Sequence, residues 1–406
     1  GSDNEMDNGV IRLAESPYAI DPGASMTFRT LFYLLSTLVC GIWPMAAVQA
    51  EPGISVQEVR VGMVNAQSGP AAGLGVGMKA GAQAYFSRVN EAGGINGRRI
   101  VLVSRDDGYE PARTAAMTRE LIESGDVFAL LGYVGTPTSR AAMPIALQAE
   151  VPYLFPFTGA EVLRTPVHRW VFTVRASYSD ETEEMVERMS GDLGVKSVAL
   201  LMQDDSFGET VKSGRMGALH KRGMQIQAEA RIQRNSLEVA AAVESLRRAE
   251  PDAIFFVGTY KQLAAAIKQA EALGIKARFF TVSFIGTENF IAEAGADGDG
   301  VYISQVMPSP HDASQALVRD YRTDIAPADV GYTSLEGYVG AAVFVRALRL
   351  AGNEPTRASL SNALEYLSAD VGGFKVEFSP TDHQGSDAVF LTRIQDGKAI
   401  PVERMQ

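Results

Sequence analysis

From Val59 onward, strand-type and helix-type hydrophobic patterns alternate with little interruption. Residues 59–64 alternate with period two and run into the turn residues Ser68-Gly69-Pro70. Residues 77–89 carry apolar side chains at helical spacing (Met78, Ala82, Tyr85, Phe86, Val89), and Gly93-Gly94-Ile95-Asn96-Gly97 stops the pattern. Residues 99–104 read as the next strand, and Glu110-Pro111 opens a helix with proline in its first turn. Residues 127–131 are wholly apolar, the mark of a strand covered on both faces. Helices at 137–148 and 180–193 and strands at 151–155 and 171–175 follow. The rhythm restarts near Ser197, with strands at 197–202, 225–230, 253–257, 278–282 and 300–305 and helices at 209–222, 237–249 and 262–273. Helices at 313–325, 335–351 and 357–367 and strands at 374–378 and 389–395 complete it.

Alternation of this kind implies an α/β fold: parallel sheets, right-handed crossovers and helices on both faces. The strands are too many for one doubly wound sheet, and the restart predicts two similar lobes joined by several short crossings. A cleft between such lobes is a natural ligand site, because α/β sheets bind at the carboxyl edges of their strands.

Residues 26–50 break the pattern. Arg29 is followed by a short apolar stretch, 31–39, and then by Val48-Gln49-Ala50, small where a signal peptidase cuts. This is the pattern of a secretory signal peptide removed before Glu51, and the stretch is too short to span a bilayer. Val39 before Cys40 is too bulky for a lipoprotein attachment box. Residues 1–25 are acidic and patternless and read as an added leader.

The full chain has 406 residues, 21% charged and 46% hydrophobic, with net charge −11 and one cysteine. That composition excludes a disordered or disulfide-framework chain, and the acidity argues against a nucleic-acid partner. Residues 1–50 hold five acidic and two basic residues and the cysteine, so the remainder carries net −8 and no thiol.

Catalytic signatures are absent: no G-x-S-x-G, P-loop, H-E-x-x-H or C-x-x-C occurs, and His168, His220, His311 and His383 are dispersed. No metal site and no cofactor are expected. Gly75-Val-Gly77-Met-Lys-Ala80 matches G-x-G-x-x-A formally, but it lies too far past Asn65 for a dinucleotide turn and reads as a closely packed loop. Asp106-Asp107 and Asp204-Asp205 follow strands, where aspartates cap the next turn or helix. What remains is small hydroxyl and glycine residues at strand ends. Gly132-Tyr-Val-Gly135-Thr136-Pro-Thr138-Ser139 leads into a helix whose N-terminus suits a carboxylate, and Pro156-Phe157-Thr158-Gly159-Ala160 repeats the arrangement after the next strand.

These segments, with Glu91-Ala-Gly-Gly-Ile-Asn-Gly97, Asp205-Ser-Phe-Gly208 and Pro251-Asp-Ala-Ile-Phe-Phe, give the chain its family likeness. In order and spacing it resembles the type I periplasmic solute-binding proteins of ABC transporters, leucine/isoleucine/valine-binding branch. The resemblance covers 56–395 and implies two doubly wound parallel-sheet lobes on a three-crossing hinge that close over a ligand like a flytrap. It implies a first lobe of 51–175 and 306–385 and a second of 176–305 and 386–406. The implied protein is not an enzyme but a periplasmic monomer that captures a small organic solute for an inner-membrane ABC permease. A sensor of the same fold is the alternative, and a secreted α/β enzyme using the paired aspartates is a more distant one.

Residue by residue, the resemblance places Thr136 and Thr158 at the ligand carboxylate, with Phe157 and Gly159 beside them. It places Phe207 as the closing aromatic residue of the second lobe, with Thr259 and Tyr260 in the next loop and Leu74 at the lid position. Ser283 stands where the amino-acid binders of this branch carry a carboxylate for the ligand ammonium, which argues against an α-amino acid here unless Asp180 or Asp205 substitutes. Phe155, Phe157, Phe207, Tyr260 and Phe284 fall in or beside these loops and suggest an apolar ligand body.

Overall fold

Two sheets with the same strand order organise the chain. The computed structural model describes residues 51–406, so the expected leader and signal peptide lie outside the described residues. The first series is β1 (Glu58–Asn65), α1 (Ala72–Glu91), β2 (Arg99–Asp106), α2 (Pro111–Glu123), β3 (Ala129–Leu131), α3 (Thr136–Gln148), β4 (Tyr153–Leu154) and β5 (Val171–Phe172). Its strands pair in parallel in the order β2-β1-β3-β4-β5. The second series is α4 (Tyr178–Gly191), β6 (Val198–Gln203), α5 (Ser206–His220), β7 (Ile226–Ile232), α6 (Ala240–Leu246), β8 (Ala253–Val257), α7 (Tyr260–Ala272), β9 (Arg278–Thr281), α8 (Thr287–Ala294) and β10 (Tyr302–Gln305). The parallel order β7-β6-β8-β9-β10 repeats the first. Both lobes are therefore doubly wound, each with the order reversal between its first and third strands that opens a crevice at the carboxyl edge.

The chain then returns through α9 (Ala316–Asp324), α10 (Tyr332–Leu350), α11 (Arg357–Glu365) and the hairpin β11 (Ser368–Val371)–β12 (Phe374–Glu377), which share a core with β1 and β3. It finishes as β13 (Phe390–Gln395) and β14 (Lys398–Pro401), antiparallel beside β10. Three crossings thus join the lobes. The first and last are tied together: Thr173 N–H donates to His383 O (2.9 Å), and Gly385 N–H donates to Thr173 O (2.7 Å).

The elements form for local reasons. Every residue of β6 and β8 is buried, because helices cover both faces of that sheet. Helix α10 is buried almost from end to end and lies backbone to backbone on α1: a Cβ on Gly81 would collide with Ser334 O, and one on Gly337 with Met78 O. Phe155 adopts φ 51° and stacks on Phe378 in the first lobe's core, so strands β4 and β5 end after two residues each, shorter than their apolar runs suggest.

Two expectations need correction. The 75–80 segment is the first turns of α1, not a loop; Gly75 is required there because a Cβ would strike the Ala66 carbonyl. Helix α8 and strands β11 and β14 have no counterpart in the hydrophobic pattern, being short and only partly buried.

Candidate ligand-binding cleft

The crevices of the two lobes face each other, and the strand-end loops fill the space between them. Gly135 precedes α3 with φ 106°, and a Cβ there would run into the Tyr109 ring. No side chain caps α3, and the N–H groups of its first turn stay clear of a cap. Thr136 at the start of this helix lies 2.8 Å, oxygen to oxygen, from the hydroxyl of Thr158, which also accepts the Ala160 N–H at 3.3 Å. Gly159 lets Tyr178 approach: its carbonyl accepts the Tyr178 N–H at 2.8 Å, and any side chain would meet the Tyr178 ring.

Aromatic rings from both lobes close over this pair. Phe284 is central, 4.5 Å between centroids from Phe207, 5.5 Å from Phe157 and 5.9 Å from Tyr109. Phe207, whose N–H is held by the Asp205 carboxylate, is also 5.5 Å from Tyr178. Leu74, from the first turn of α1, packs against Gly286. All nine sequence-derived residues are buried, and Leu74, Tyr109 and Phe157 belong to one apolar cluster with Phe207, Tyr260 and Phe284. The lobes are closed.

Two of the nine spend their polar groups elsewhere. Thr259 donates to Gln262 Oε1 at 3.4 Å at the start of α7, and the Tyr260 hydroxyl accepts the Gly73 N–H at 3.1 Å, bridging the lobes.

Ser283 meets a cation that the sequence reading did not place. Arg175, fully buried at the first crossing, donates through Nη2 to Ser283 Oγ and lies over the Phe157 ring at 5.0 Å. Its charge is flanked by Glu336 of α10 (Nε to Oε1, 3.3 Å) and Glu181 of α4 (Nη2 to Oε2, 3.8 Å), both buried. Glu181 Oε1 accepts the Ser283 N–H and the Ser304 hydroxyl, each at 2.8 Å. Burial pushes the Glu336 carboxyl up to about 7 against the pull of Arg175. Burial raises Glu181 too, opposed by Arg175 and these hydrogen bonds. Burial works against the Arg175 charge, but Glu336 and Glu181 outweigh it and hold its pKa above the ordinary value.

The suggestion that Asp180 or Asp205 substitutes for a carboxylate at Ser283 is therefore corrected. Asp180 forms the capping box of α4 with Ser177 and takes Gln384 Nε2 at 2.8 Å; Asp205 caps α5 and pairs with Arg234 at 3.0 Å. One signal for the missed cluster is visible in the sequence: Glu336 stands alone among apolar residues in a helix buried on all sides, where an acid must find a partner.

The paired aspartates are structural. Asp106 accepts the N–H groups of Gln67, Ser68 and Gly108, and Asp107 accepts Tyr109 N–H and the Thr114 hydroxyl, each at 2.8 Å. Asp204 pairs with Arg231 at 2.9 Å. Among the described residues no cluster of histidine and acidic side chains is arranged to hold a metal ion.

The fold has direct counterparts in known proteins. The sequence profile of the periplasmic binding protein family matches residues 58–399. The chain is a type I periplasmic binding protein of the leucine/isoleucine/valine-binding branch. The leucine-specific-binding protein of Salmonella typhimurium is 21% identical over 71% of this chain and 77% of its own length. The crystal structure of a possible leucine/isoleucine/valine-binding protein from Rhodopirellula baltica is 33% identical, covers 85% of this chain and 96% of that one, and superposes with a TM-score of 0.81. A substrate-binding periplasmic protein from Ralstonia solanacearum is 31% identical, covering 84% and 99% of the two chains with a TM-score of 0.79. Binding proteins of this family take small-molecule ligands such as amino acids and work with ABC transporter permeases.

Proposed function

We propose that this chain is the periplasmic substrate-binding component of an ABC importer. It captures a small organic solute in the interlobe cleft and presents the closed form to an inner-membrane permease. Thr136, Thr158 and the uncapped N–H groups of α3 hold a polar or anionic head, and Phe157, Phe207 and Phe284 enclose an aromatic or aliphatic body, with Leu74 and Tyr260 at the closing edge. The observation that carries the reading is the Thr136–Thr158 hydroxyl pair at 2.8 Å, buried at the start of α3 and ringed by aromatic side chains from both lobes. Arg175 beside Ser283 disfavours an α-amino acid, because a ligand ammonium there would have to compete with the guanidinium for the Glu181 and Glu336 carboxylates.

A thermal-shift screen of amides, aromatic acids, aliphatic acids and amino acids, followed by solution scattering, tests it. A stabilising solute that compacts the protein and is recovered unchanged supports a flytrap carrier. Binding without compaction, or turnover of the solute, overturns it.

A further inference from the structure

Four polar atoms lie together around Arg175 with no hydrogen-bond partner among the described residues: Arg175 Nε and Nη1, Glu181 Oε2 and Glu336 Oε1. All three side chains are 2% exposed or less. The ion pairs do not use these atoms up. Arg175 Nε approaches Glu336 Oε1 at 3.3 Å without the alignment of a hydrogen bond, and Arg175 Nη2 stays 3.8 Å from Glu181 Oε2. Leaving buried donors and acceptors unpaired is costly, more so for charged groups, so a concentration of them in one place calls for a group that serves both kinds.

The cluster adjoins the cleft rather than lying beneath it. Arg175 covers the Phe157 ring and contacts Ser283, the residue before Phe284. It also draws on both lobes: Glu336 comes from α10 of the first lobe, Glu181 from α4 of the second, and Arg175 from the crossing between them.

The charges select the chemistry. A carboxylate brought here would gain Arg175 but face two acidic side chains. An ammonium would gain the acids but face the guanidinium. A neutral group with a carbonyl and N–H bonds satisfies all of them, its oxygen toward Arg175 Nε and Nη1 and its N–H bonds toward Glu181 Oε2 and Glu336 Oε1. We propose that Arg175, Glu181 and Glu336 form a second polar subsite of the cleft, specific for a carboxamide or ureido group at the end of the ligand remote from Thr136 and Thr158. This rests on the cleft being the solute site.

The test is a calorimetric titration of the full described chain with two sets of matched probes, each having a carboxylate head and a different far end. One set is para-carbamoylbenzoate, terephthalate and para-aminomethylbenzoate; the other is glutaramate, glutarate and aminovalerate. In at least one set the amide should bind about tenfold or more tightly than both charged partners, the difference a mismatched buried charge imposes. Glu336→Gln, which keeps an acceptor oxygen but removes the charge, should weaken amide binding several-fold, because a ligand N–H loses its charged acceptor. It should shift the amide-to-diacid preference about tenfold toward the diacid, because one repelling charge is gone. A purely structural Glu336 would weaken all probes together and leave that ratio alone. Equal or tighter binding of a diacid or amine, no amide binding at all, or an unmoved ratio overturns the subsite. Scattering on the same samples separates the two readings: a diacid that binds and compacts the protein sinks the subsite and leaves the cleft, whereas binding without compaction sinks both.

Discussion

Gln203 Nε2 donates to the Tyr109 hydroxyl at 3.0 Å, joining the second lobe to the first at the edge of the cleft. Beside it, Asn235 Nδ2 donates to Gly108 O at 3.0 Å and to Glu110 Oε1 at 2.7 Å, and Arg234 bridges Asp205 (3.0 Å) and Glu110 (3.2 Å). Tyr109 and Asn235 both adopt φ 61°, so each of the two facing loops turns through the left-handed region to bring its polar groups to the other. Since every one of these bonds but Arg234–Asp205 spans the lobes, opening the cleft breaks them.

Arg234→Ala should therefore act on closure. The pairs at this rim are partly exposed, so their removal costs about 0.5–1 kcal/mol, roughly a twofold to fivefold loss of solute affinity at low salt. Screening should erase the difference from the unmodified protein as ionic strength approaches about 1 M. Binding titrations across salt concentrations check this, and parallel salt curves for the two proteins would sink it.

The seam between α1 and α10 makes a prediction about stability. Gly81→Ala would drive a methyl group into the Ser334 carbonyl, and backbone cannot rotate aside as a side chain can. Unfolding in urea should show a loss of about 3 kcal/mol or more. Gly217, inside α5 with nothing within 4 Å of its virtual Cβ, is the control: Gly217→Ala should stabilise by about 0.5–1 kcal/mol. Equal effects at the two positions would refute the close-packing account.

How legible all this is from sequence varies with the physics. The repeated strand order follows from period-two and period-3.6 patterning that burial enforces along β1, β6 and β8. The helix start at Thr136 was legible too, because Pro137 and Gly135 punctuate it. Arg175 was not. The pattern puts it at the end of a strand over 171–175, but β5 stops at Phe172 and Arg175 sits in a crossing, where it meets Glu181 six residues on and Glu336 far along the chain only once both lobes are folded. Helix α8 escaped for another reason: Gly286 at φ 75° restarts the chain after a short 3₁₀ turn, and only three of the helix's residues are buried.

The buried cluster also sets a pH dependence. An unfolded glutamate titrates near 4.5, whereas burial holds folded Glu336 up at about 7, with Arg175, Glu181 and Arg164 as the charges acting on it. Between those values the folded chain binds the proton more tightly, so stability falls as pH rises through the window and the full cost applies above it. Glu181 shifts in the same direction and adds to the slope. Glu336→Gln should remove up to about 3 kcal/mol of this dependence, leaving the variant as stable as the parent near pH 5 and more stable near pH 8. Urea midpoints across that range decide it; a variant that loses stability equally at every pH would contradict the shift.

Thr136 and Thr158 give the most direct test of the proposed head-group site. Each hydroxyl has one donor, and the 2.8 Å contact means that one of them spends it on the other, leaving a single O–H free to point at a ligand oxygen. Thr136→Ala should weaken solute binding by about 1–2 kcal/mol, as should Thr158→Ala. The double variant should lose less than the sum, with a coupling of about 0.5–1 kcal/mol, because either single change already frees the remaining hydroxyl to reorient. Fluorescence or calorimetric titration of the four proteins with the solute found by screening measures the cycle. Strict additivity would mean that the two residues act on separate parts of the ligand, and unchanged affinity in Thr136→Ala would remove that residue from the site altogether.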